Sequence, residues 1–405
     1  MDEKENQGIE SWIRESMDPE KLSNMKIEIM ETDKKTEGLA SILVFAKVTG
    51  TDNYSNHKEI DLLIKVGRRS NEELMRQVYR RELVFYERVI PMFRKFYSAK
   101  DMKNNFDAIP KCYKTFISGD IEAVVLENMR SREFTVLDLQ SPMNLNHVRL
   151  VLENYAKFHA MSFVLQDRGS QEFNELTADQ VSLMKQMVLT MGIYRNEDRG
   201  LRNLKKTGRE DLVAAYEKVI NRSKETIMLD IFNDVPKEAV ITHGDCHIGN
   251  FLFKYEDNDP KNPVDVVIID WQTYDLHSPV LDLSYFLYGA LSSEDMPQIG
   301  ELIKFYYGHL SRFLQDSGSD VERLFPYNTF VEHWEKYSIY GFIIMTSCLE
   351  LYYVDRENTT FDDLKENGDF KGILEAVNLD DETSYLERLV AVVQHHCNFK
   401  LVPNS

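Results

Sequence analysis

The segment Val240–Trp271, VITHGDCHIGNFLFKYEDNDPKNPVDVVIIDW, carries the pattern that decides the fold. An apolar run leads into His243-Gly244-Asp245, and Asn250 follows five positions after that aspartate. Two apolar stretches then flank a polar loop that contains Asp and Pro, which is typical of a β-hairpin. These stretches are Phe251–Tyr255 and Val264–Ile269. Because the second stretch runs into Asp270, the pattern predicts a hairpin with an aspartate at its far end.

These residue types fit the transfer of a phosphoryl group. Magnesium prefers a few hard oxygen ligands, and Asn250 and Asp270 supply such oxygens once the hairpin folds back. Asp245 then needs only to orient a hydroxyl group and accept its proton. Kinases that transfer the terminal phosphate of ATP use residues in this order. The alternative is that all three residues serve turns and strand ends, but the full set in order between two apolar strands favours the chemical interpretation.

The segment resembles the choline-kinase and aminoglycoside-phosphotransferase branch of the kinase fold, and more narrowly the ecdysteroid kinase-like family of arthropods. The family shares H-G-D-x-x-x-x-N, a D-F-Q-like triplet and a following D-L-x-Y-F-L. The second and third motifs read Asp270-Trp271-Gln272 and Asp282–Leu287 here. Two residues depart from the family pattern: His247 stands where Trp is frequent, and Trp271 replaces Phe. Neither departure removes a phosphate or metal ligand, so they bear on substrate fit.

Composition narrows the classes of protein. A chain of 405 residues that is 43% hydrophobic can bury one large core or two lobes that share a cleft. The net charge of −19 argues against nucleic acid or an anionic membrane as partner, since both require a basic surface. No apolar run approaches the ~20 residues of a membrane span. The acidic N-terminus lacks signal-peptide features, and the four cysteines have no metal-type spacing, so we expect a reducing, cytoplasmic setting.

The first third of the chain predicts a small antiparallel sheet. A short helix over Ile9–Ser16 precedes strands over Lys26–Thr32 and Leu39–Val48. The turn between the strands contains Gly38 and Ser41, and small residues there allow backbone N–H groups to approach phosphates. The residues alone leave an ordinary hairpin turn equally open. The family resemblance implies that Gly38 and Ser41 belong to the loop that covers the phosphates of ATP.

A lysine stands inside the next apolar strand, Glu59–Val66. An unpaired ammonium group in such a strand would cost several kcal/mol, and kinases avoid this cost by pairing it with a helix glutamate beside the phosphates. A helix is predicted over 71–90, ending at Pro91, and Glu82 lies near the edge of its apolar stripe. We therefore expect a Lys65–Glu82 ion pair. The alternative is a solvated carboxylate beside a lysine that extends to solvent.

The boundary between two lobes is expected near residue 130. A strand pair is predicted over Ile109–Ser118 and Ile121–Glu127, followed by polar residues and a helix. A kinase places the main chain of this connection against adenine, which makes Glu127 and Met129 candidate nucleotide contacts. The predicted lobes are residues 1–129, which cover ATP, and residues 130–405, which carry the hairpin and the acceptor site.

The second lobe is predicted to be mainly helical. The helix predicted over 146–166 carries His159 on its apolar face, where we expect it to brace the catalytic loop through a hydrogen bond. Two or three amphipathic helices follow between Gln171 and Asn233, with a basic, loop-like interval at Arg195–Arg209. The resemblance implies that this whole region shapes the acceptor pocket. Asp282 is expected to anchor the loop by accepting backbone hydrogen bonds, as the family pattern implies. Further helices are predicted over 296–314, 328–353 and 382–397.

The expected protein is thus an α+β, two-lobed, protein-kinase-like enzyme that uses ATP and Mg²⁺. The resemblance implies phosphorylation of an ecdysteroid or a comparable hydroxylated lipophile, including xenobiotics in detoxification. Two alternatives stay open. A choline- or ethanolamine-type kinase would need an aromatic and acidic cage around its cationic substrate. A catalytically silent binding protein would keep the fold without its chemistry.

Overall fold

The computed structural model describes most of the chain. The described residues are 3–30, 41–67, 73–102, 104–118, 121–178, 181–191, 198–257, 259–354 and 379–401. The turn that holds Gly38 lies outside these ranges. None of the described helices is long and apolar enough to cross a membrane.

A five-stranded antiparallel sheet forms the N-terminal part, in the order β1-β2-β3-β5-β4. Its strands are β1 (Ser23–Ile29), β2 (Ser41–Thr51), β3 (His57–Gly67), β4 (Cys112–Ser118) and β5 (Ile121–Glu127). Each matches a predicted strand to within a few residues. The strands are rich in β-branched and apolar residues, which pack well on a pleated surface.

The two faces of this sheet contact different cores, because successive side chains of a strand point to opposite sides. On β5, Ala123 and Val125 pack with Ile9 and Ile13 of helix α1. Val124 and Leu126 instead join the large core shared with the helices. Helix α1 (Glu3–Ser16) begins earlier than the sequence predicted. The sheet is therefore covered on both faces.

The helix after β3 continues past Pro91, so the predicted stop was wrong. Helix α2 (Glu73–Val84) passes through a π turn (Phe85–Val89) directly into α3 (Ile90–Lys100). The N–H of Ile90 bonds to the carbonyl of Phe85, five residues earlier. After this wider turn a new helix begins, with Pro91 in its first turn. The N–H groups of a first turn have no acceptor within the helix, so a proline there breaks no helical hydrogen bond.

The C-terminal part is mainly helical, as predicted. Helix α4 (Leu145–Asp167) is followed by α5 (Gln171–Ala178), α6 (Leu183–Met191), α7 (Arg199–Lys206), α8 (Glu210–Val219) and α9 (Lys224–Asn233). After the hairpin come α10 (Val280–Ala290), α11 (Ile299–Asp316), α12 (Val321–Leu324), α13 (Tyr327–Tyr337), α14 (Ile339–Cys348) and α15 (Glu382–Asn398).

Three expectations for these helices were wrong. In the described part of the chain, five helices, α5 to α9, lie where two or three were expected before Asn233. The basic interval is not a loop, because Asp198 caps α7 within it by accepting the N–H of Leu201, and Arg, Lys and Leu are good helix formers. The helix predicted over 328–353 breaks at Ser338 into α13 and α14. The break lets α14 pack closely on α10 at Gly341, where a Cβ atom would lie 2.3 Å from the backbone of Ser284.

The predicted hairpin is present. Strands β8 (Phe251–Tyr255) and β9 (Pro263–Ile268) pair antiparallel, with the two-residue β6 (Thr135–Val136) beside β8. Strand β7 (Val240–Thr242) does not join the sheet of the hairpin but pairs with β10 (Asp275–His277). The loop from β7 to β8 and the end of β9 therefore meet at one edge of the helical part.

Candidate active site

His243 holds the loop after β7 against the end of β9. Its Nδ1 accepts the N–H of Asp245 at 3.2 Å, so the proton of the neutral ring is on Nε2, which donates to the carbonyl oxygen of Ile269 at 3.0 Å. Burial lowers the pKa of His243 and keeps the ring neutral. One side chain thus fixes the backbone next to Asp245 and the backbone next to Asp270.

Gly244 is required by the tightness of this loop. Its φ angle is +86°, and a Cβ atom would lie 2.3 Å from the carbonyl oxygen of Thr273. Both the left-handed backbone and the lack of space favour glycine.

Asp282 anchors the same loop from α10, as the family pattern implied. Its carboxylate accepts the N–H of His243 at 2.6 Å and the N–H of Gly244 at 3.0 Å. His159 donates to it through Nε2 at 3.0 Å, so the expected brace is also present. Burial alone would raise the pKa of Asp282, but the hydrogen bonds from His159 and the loop outweigh it and lower the pKa.

Asp245 presents its carboxylate beside two ring side chains. Its Oδ1 accepts a hydrogen bond from the hydroxyl of Tyr285 at 3.1 Å. The Nε2 of His247 lies 3.7 Å from its Oδ2. Since the side chain of Asp245 remains 29% exposed, it is accessible to a second molecule.

Asn250 is fixed by both its backbone and its side chain. Its carbonyl accepts the N–H of Ile269 at 3.0 Å, which places it next to the end of β9. Its Nδ2 donates to the carbonyl of Asp245 at 2.9 Å. With Nδ2 used in this way, Oδ1 is the side-chain atom suited to a metal ion.

Lys65 lies between two carboxylates. Its Nζ is 2.7 Å from Glu82 and 2.6 Å from Asp270, so the ion pair expected with Glu82 is present and Asp270 joins it. Burial alone would lower the pKa of Lys65, but the two carboxylates outweigh it and raise the pKa. The lysine is charged, and its strand is linked to both the helix and the hairpin.

The cluster is held in place by a strained residue and an aromatic stack. Asp270 has φ +67°, a left-handed conformation that few non-glycine residues adopt and that is frequent at functional sites. The next residue, Trp271, is buried and stacks on Phe85 of the π turn, with ring centroids 4.1 Å apart and planes 6° apart. The helix that carries Glu82 is thereby packed against the end of the hairpin.

The other predicted nucleotide contacts lie on the sheet and its connection. Ser41 is buried at the start of β2, opposite Gly67. Glu127 ends β5, and Arg132 lies 3.4 Å from its carboxylate. Met129 is buried against the base of the hairpin, and its carbonyl oxygen accepts the N–H of Phe134. The roles of Gly38, Ser41, Glu127 and Met129 stay predictions.

Sequence reasoning missed the contact of Tyr285 with Asp245. The available signal was helical spacing: Tyr285 follows Asp282 by three residues, so both lie on one face of α10. One residue anchors the loop and the other contacts its aspartate.

The donor set near the hairpin fits a magnesium ion that is completed by phosphates and water. Asn250 and Asp270 offer an amide oxygen and a carboxylate, the hard ligands that Mg²⁺ takes one or two at a time. Among the described residues, no group of three or more His, Cys, Asp or Glu side chains is arranged to hold a metal by itself.

Comparisons with known proteins agree with the expected class. A five-stranded sheet with a lysine–glutamate pair, joined to a helical part with this loop and hairpin, is the fold of the kinase-like phosphotransferases. The chain belongs to the ecdysteroid kinase-like family, whose sequence model matches residues 35–319. The resemblance stated from the motifs is confirmed.

Solved structures also match the chain over most of its length. An ethanolamine kinase of Plasmodium vivax is 12% identical with a TM-score of 0.40, and the match covers 92% of this chain and 82% of that one. A GDP complex of aminoglycoside 2′-phosphotransferase-IIIa is 10% identical with a TM-score of 0.44, covering 97% and 98%. No curated protein matches the sequence.

Proposed function

We propose that this protein is an ATP- and Mg²⁺-dependent kinase that phosphorylates a hydroxyl group of a small lipophilic molecule. The observation that carries the proposal is the cluster in which Lys65 contacts both Glu82 and Asp270, at the end of the hairpin that also fixes Asn250 and Asp245. A buried lysine beside a metal-type carboxylate is the arrangement that phosphoryl transfer requires.

Each residue has a role that follows from its position. Lys65 would bind phosphate oxygens, and Glu82 would hold its side chain in place. Asn250 and Asp270 would hold Mg²⁺, which when bound neutralises the charge of the transferred group. Asp245 would orient the acceptor hydroxyl for in-line attack and accept its proton.

We further propose that residues 1–129 form the lobe that covers the nucleotide and residues 130–405 the lobe that binds the acceptor. All strands of the five-stranded sheet lie in the first range. Gly38 and Ser41 would cover the phosphates, and the main chain at Glu127 and Met129 would contact the adenine.

The acceptor we propose is an ecdysteroid or a similar hydroxylated compound, including xenobiotics. Membership of the family supports this choice. The side chain of Asp245 is 29% exposed, so a hydroxyl group of such a compound can reach its carboxylate.

The test is a phosphorylation assay with purified protein, MgATP and a panel of an ecdysteroid, a phenolic xenobiotic, choline and ethanolamine. We expect phosphate transfer to the ecdysteroid or the phenol. Transfer to choline or ethanolamine alone would contradict the proposed acceptor and indicate a choline- or ethanolamine-type kinase. No change in melting temperature with millimolar MgATP would contradict the kinase assignment and favour a silent binding protein.

A further inference from the structure

His247 lies in the same loop as Asp245, two residues further along the chain, and is one of the two residues that depart from the family pattern. Both side chains are partly exposed, His247 by 31% and Asp245 by 29%. The Nε2 atom of His247 lies 3.7 Å from Oδ2 of Asp245. A molecule that reaches the carboxylate of Asp245 is therefore also close to the imidazole ring.

The backbone of the loop determines which ring nitrogen of His247 carries the proton. Nδ1 accepts the N–H of Gly249 at 3.1 Å, so in the neutral ring the proton is on Nε2. The ring also packs closely against Gly249, since a Cβ atom there would lie 2.8 Å from Cε1 of the ring. The hydrogen bond and this packing together fix the orientation of the ring.

The N–H at Nε2 has no acceptor within the described residues. The distance of 3.7 Å to Asp245 exceeds the roughly 2.7–3.2 Å of an N–H···O hydrogen bond. Nor is Nε2 one of the unpaired polar atoms that are buried in the described part of the chain, so solvent reaches it. An oxygen atom of a bound molecule can thus accept a hydrogen bond from Nε2.

One hydroxyl group can contact both side chains at once. Hydrogen bonds of about 2.9 Å from Nε2 and about 2.7 Å to Oδ2 are both compatible with a separation of 3.7 Å between these atoms. A hydroxyl group has one proton and two lone pairs, so its oxygen can donate to Asp245 and accept from His247. The second lone pair then remains for attack on phosphorus.

We propose that His247 is a second catalytic residue, whose Nε2 donates a hydrogen bond to the acceptor oxygen that Asp245 deprotonates. The assignment rests on the kinase function proposed above. The carbon atom of the acceptor, Asp245 and His247 occupy three of the four directions around this oxygen, which fixes the orientation of the remaining lone pair. Such orientation is a main contribution of kinases, because little covalent chemistry is left for the protein in phosphoryl transfer.

The transfer step is balanced without a further reactant. The bond between the acceptor oxygen and the γ-phosphorus forms while the bond between that phosphorus and ADP breaks. The proton of the hydroxyl group passes to Asp245. His247 keeps its own proton throughout and contributes a fixed N–H donor.

The alternative role of His247 is to cap the turn Ile248–Asn250, because its Nδ1 accepts the N–H of Gly249 in that turn. The two roles use different ring nitrogens, so two substitutions separate them. Counted in bonds from Cα, Nε2 of glutamine matches Nε2 of histidine, and Oδ1 of asparagine matches Nδ1. His247→Gln thus keeps the donor and loses the cap, whereas His247→Asn keeps the cap and loses the donor.

The test measures phosphate transfer by the full chain to the member of the acceptor panel that the wild type phosphorylates fastest. We expect kcat/KM for this acceptor to fall about tenfold in His247→Asn, the effect of one hydrogen bond, and less than about threefold in His247→Gln. Equal losses in the two variants, or a larger loss in His247→Gln, would overturn the proposal.

Calorimetry with MgATP shows whether His247 acts through Asn250 instead. Since His247→Asn keeps the cap of the turn that carries Asn250, its affinity for MgATP should equal that of the wild type. A fall in this affinity as large as the fall in kcat/KM would contradict the contact with the acceptor.

The position of the ring proton is measured without acceptor or nucleotide. At about pH 9, where histidine rings are neutral, proton–nitrogen correlation NMR should place the proton of His247 on Nε2. The spectrum of His247→Gln assigns the signal by its absence. A proton on Nδ1 would overturn the proposal, because Nε2 could not then donate. A wild type that does not bind MgATP would instead contradict the kinase function and leave this result standing.

Discussion

Asp245 is held by its neighbours, so its substitution tests chemistry with little effect on structure. In Asp245→Asn the amide can still contact Tyr285, but it cannot accept a proton from a hydroxyl group. We expect turnover to fall by at least about 10²-fold, the usual contribution of a positioned base. Nucleotide affinity should stay within about twofold, as measured by calorimetry. Equal turnover in the two proteins would remove Asp245 from the proposed role.

Asp270 should affect nucleotide binding itself. In Asp270→Ala we expect the affinity for MgATP to fall at least about tenfold, a loss seen even when only a supporting contact of a metal site is removed. Calorimetry with and without EDTA measures it: chelation should weaken nucleotide binding by the wild type and have little effect on the variant. Asp265→Ala, at an exposed aspartate of β9, is the matched control. A metal response retained by Asp270→Ala would contradict the ligand assignment.

The sequence predicted the residues of the loop and the hairpin but not all of their contacts. The spacing of Asp245, Asn250 and Asp270 was sufficient because a hairpin brings its two ends together. The contact of Lys65 with Asp270 was not predictable in this way. It joins residues 205 positions apart and depends on how the sheet packs against the helical part.

At the scale of elements, α10 and α4 fix the loop after β7. In Asp282→Asn one side-chain oxygen can still accept a hydrogen bond. The NH₂ group that replaces the other oxygen faces a backbone N–H of the loop, and that N–H loses its acceptor. We expect the free energy of unfolding to fall by about 2–3 kcal/mol, as for a lost hydrogen bond to a buried charged group. Urea unfolding checks this, with Asp265→Asn as the exposed control. Equal losses in the two variants would show that the anchor contributes little.

Two of the misjudged elements depend on features that local sequence rules do not contain. Pro91 was expected to end a helix because local rules consider only its own turn, whereas a π turn moves it into the first turn of the next helix. The break at Ser338 depends on close packing of α14 against α10, a tertiary contact that periodicity does not contain. By contrast, the strands and α4 were predictable because their apolar patterns reflect burial directly.

For the whole molecule, buried histidines predict sensitivity to mild acid. Burial lowers the pKa of His147, His277 and His395 to about 4 each, against about 6.5 in an unfolded chain. Between these values the unfolded chain binds protons that the folded chain does not, so stability falls as pH decreases from about 6.5 to 4. Each such histidine changes the free energy of unfolding by at most about 1.4 kcal/mol per pH unit.

Urea unfolding between pH 7.5 and 5 measures this dependence. The slope of the unfolding free energy against pH gives the number of protons bound on unfolding. In His277→Gln this number should decrease by about one, because one titrating group is removed. His57→Gln, at an exposed position, provides the comparison. An identical slope in wild type and His277→Gln would contradict the prediction.

The close contact between Gly244 and Thr273 also has a genetic consequence. Every missense change of the Gly244 codon adds at least a Cβ atom, which would lie 2.3 Å from a carbonyl oxygen. Such alleles should therefore behave as complete losses of function, alanine included. Variation at this codon in a natural population would mark copies of the gene that are no longer under selection for activity.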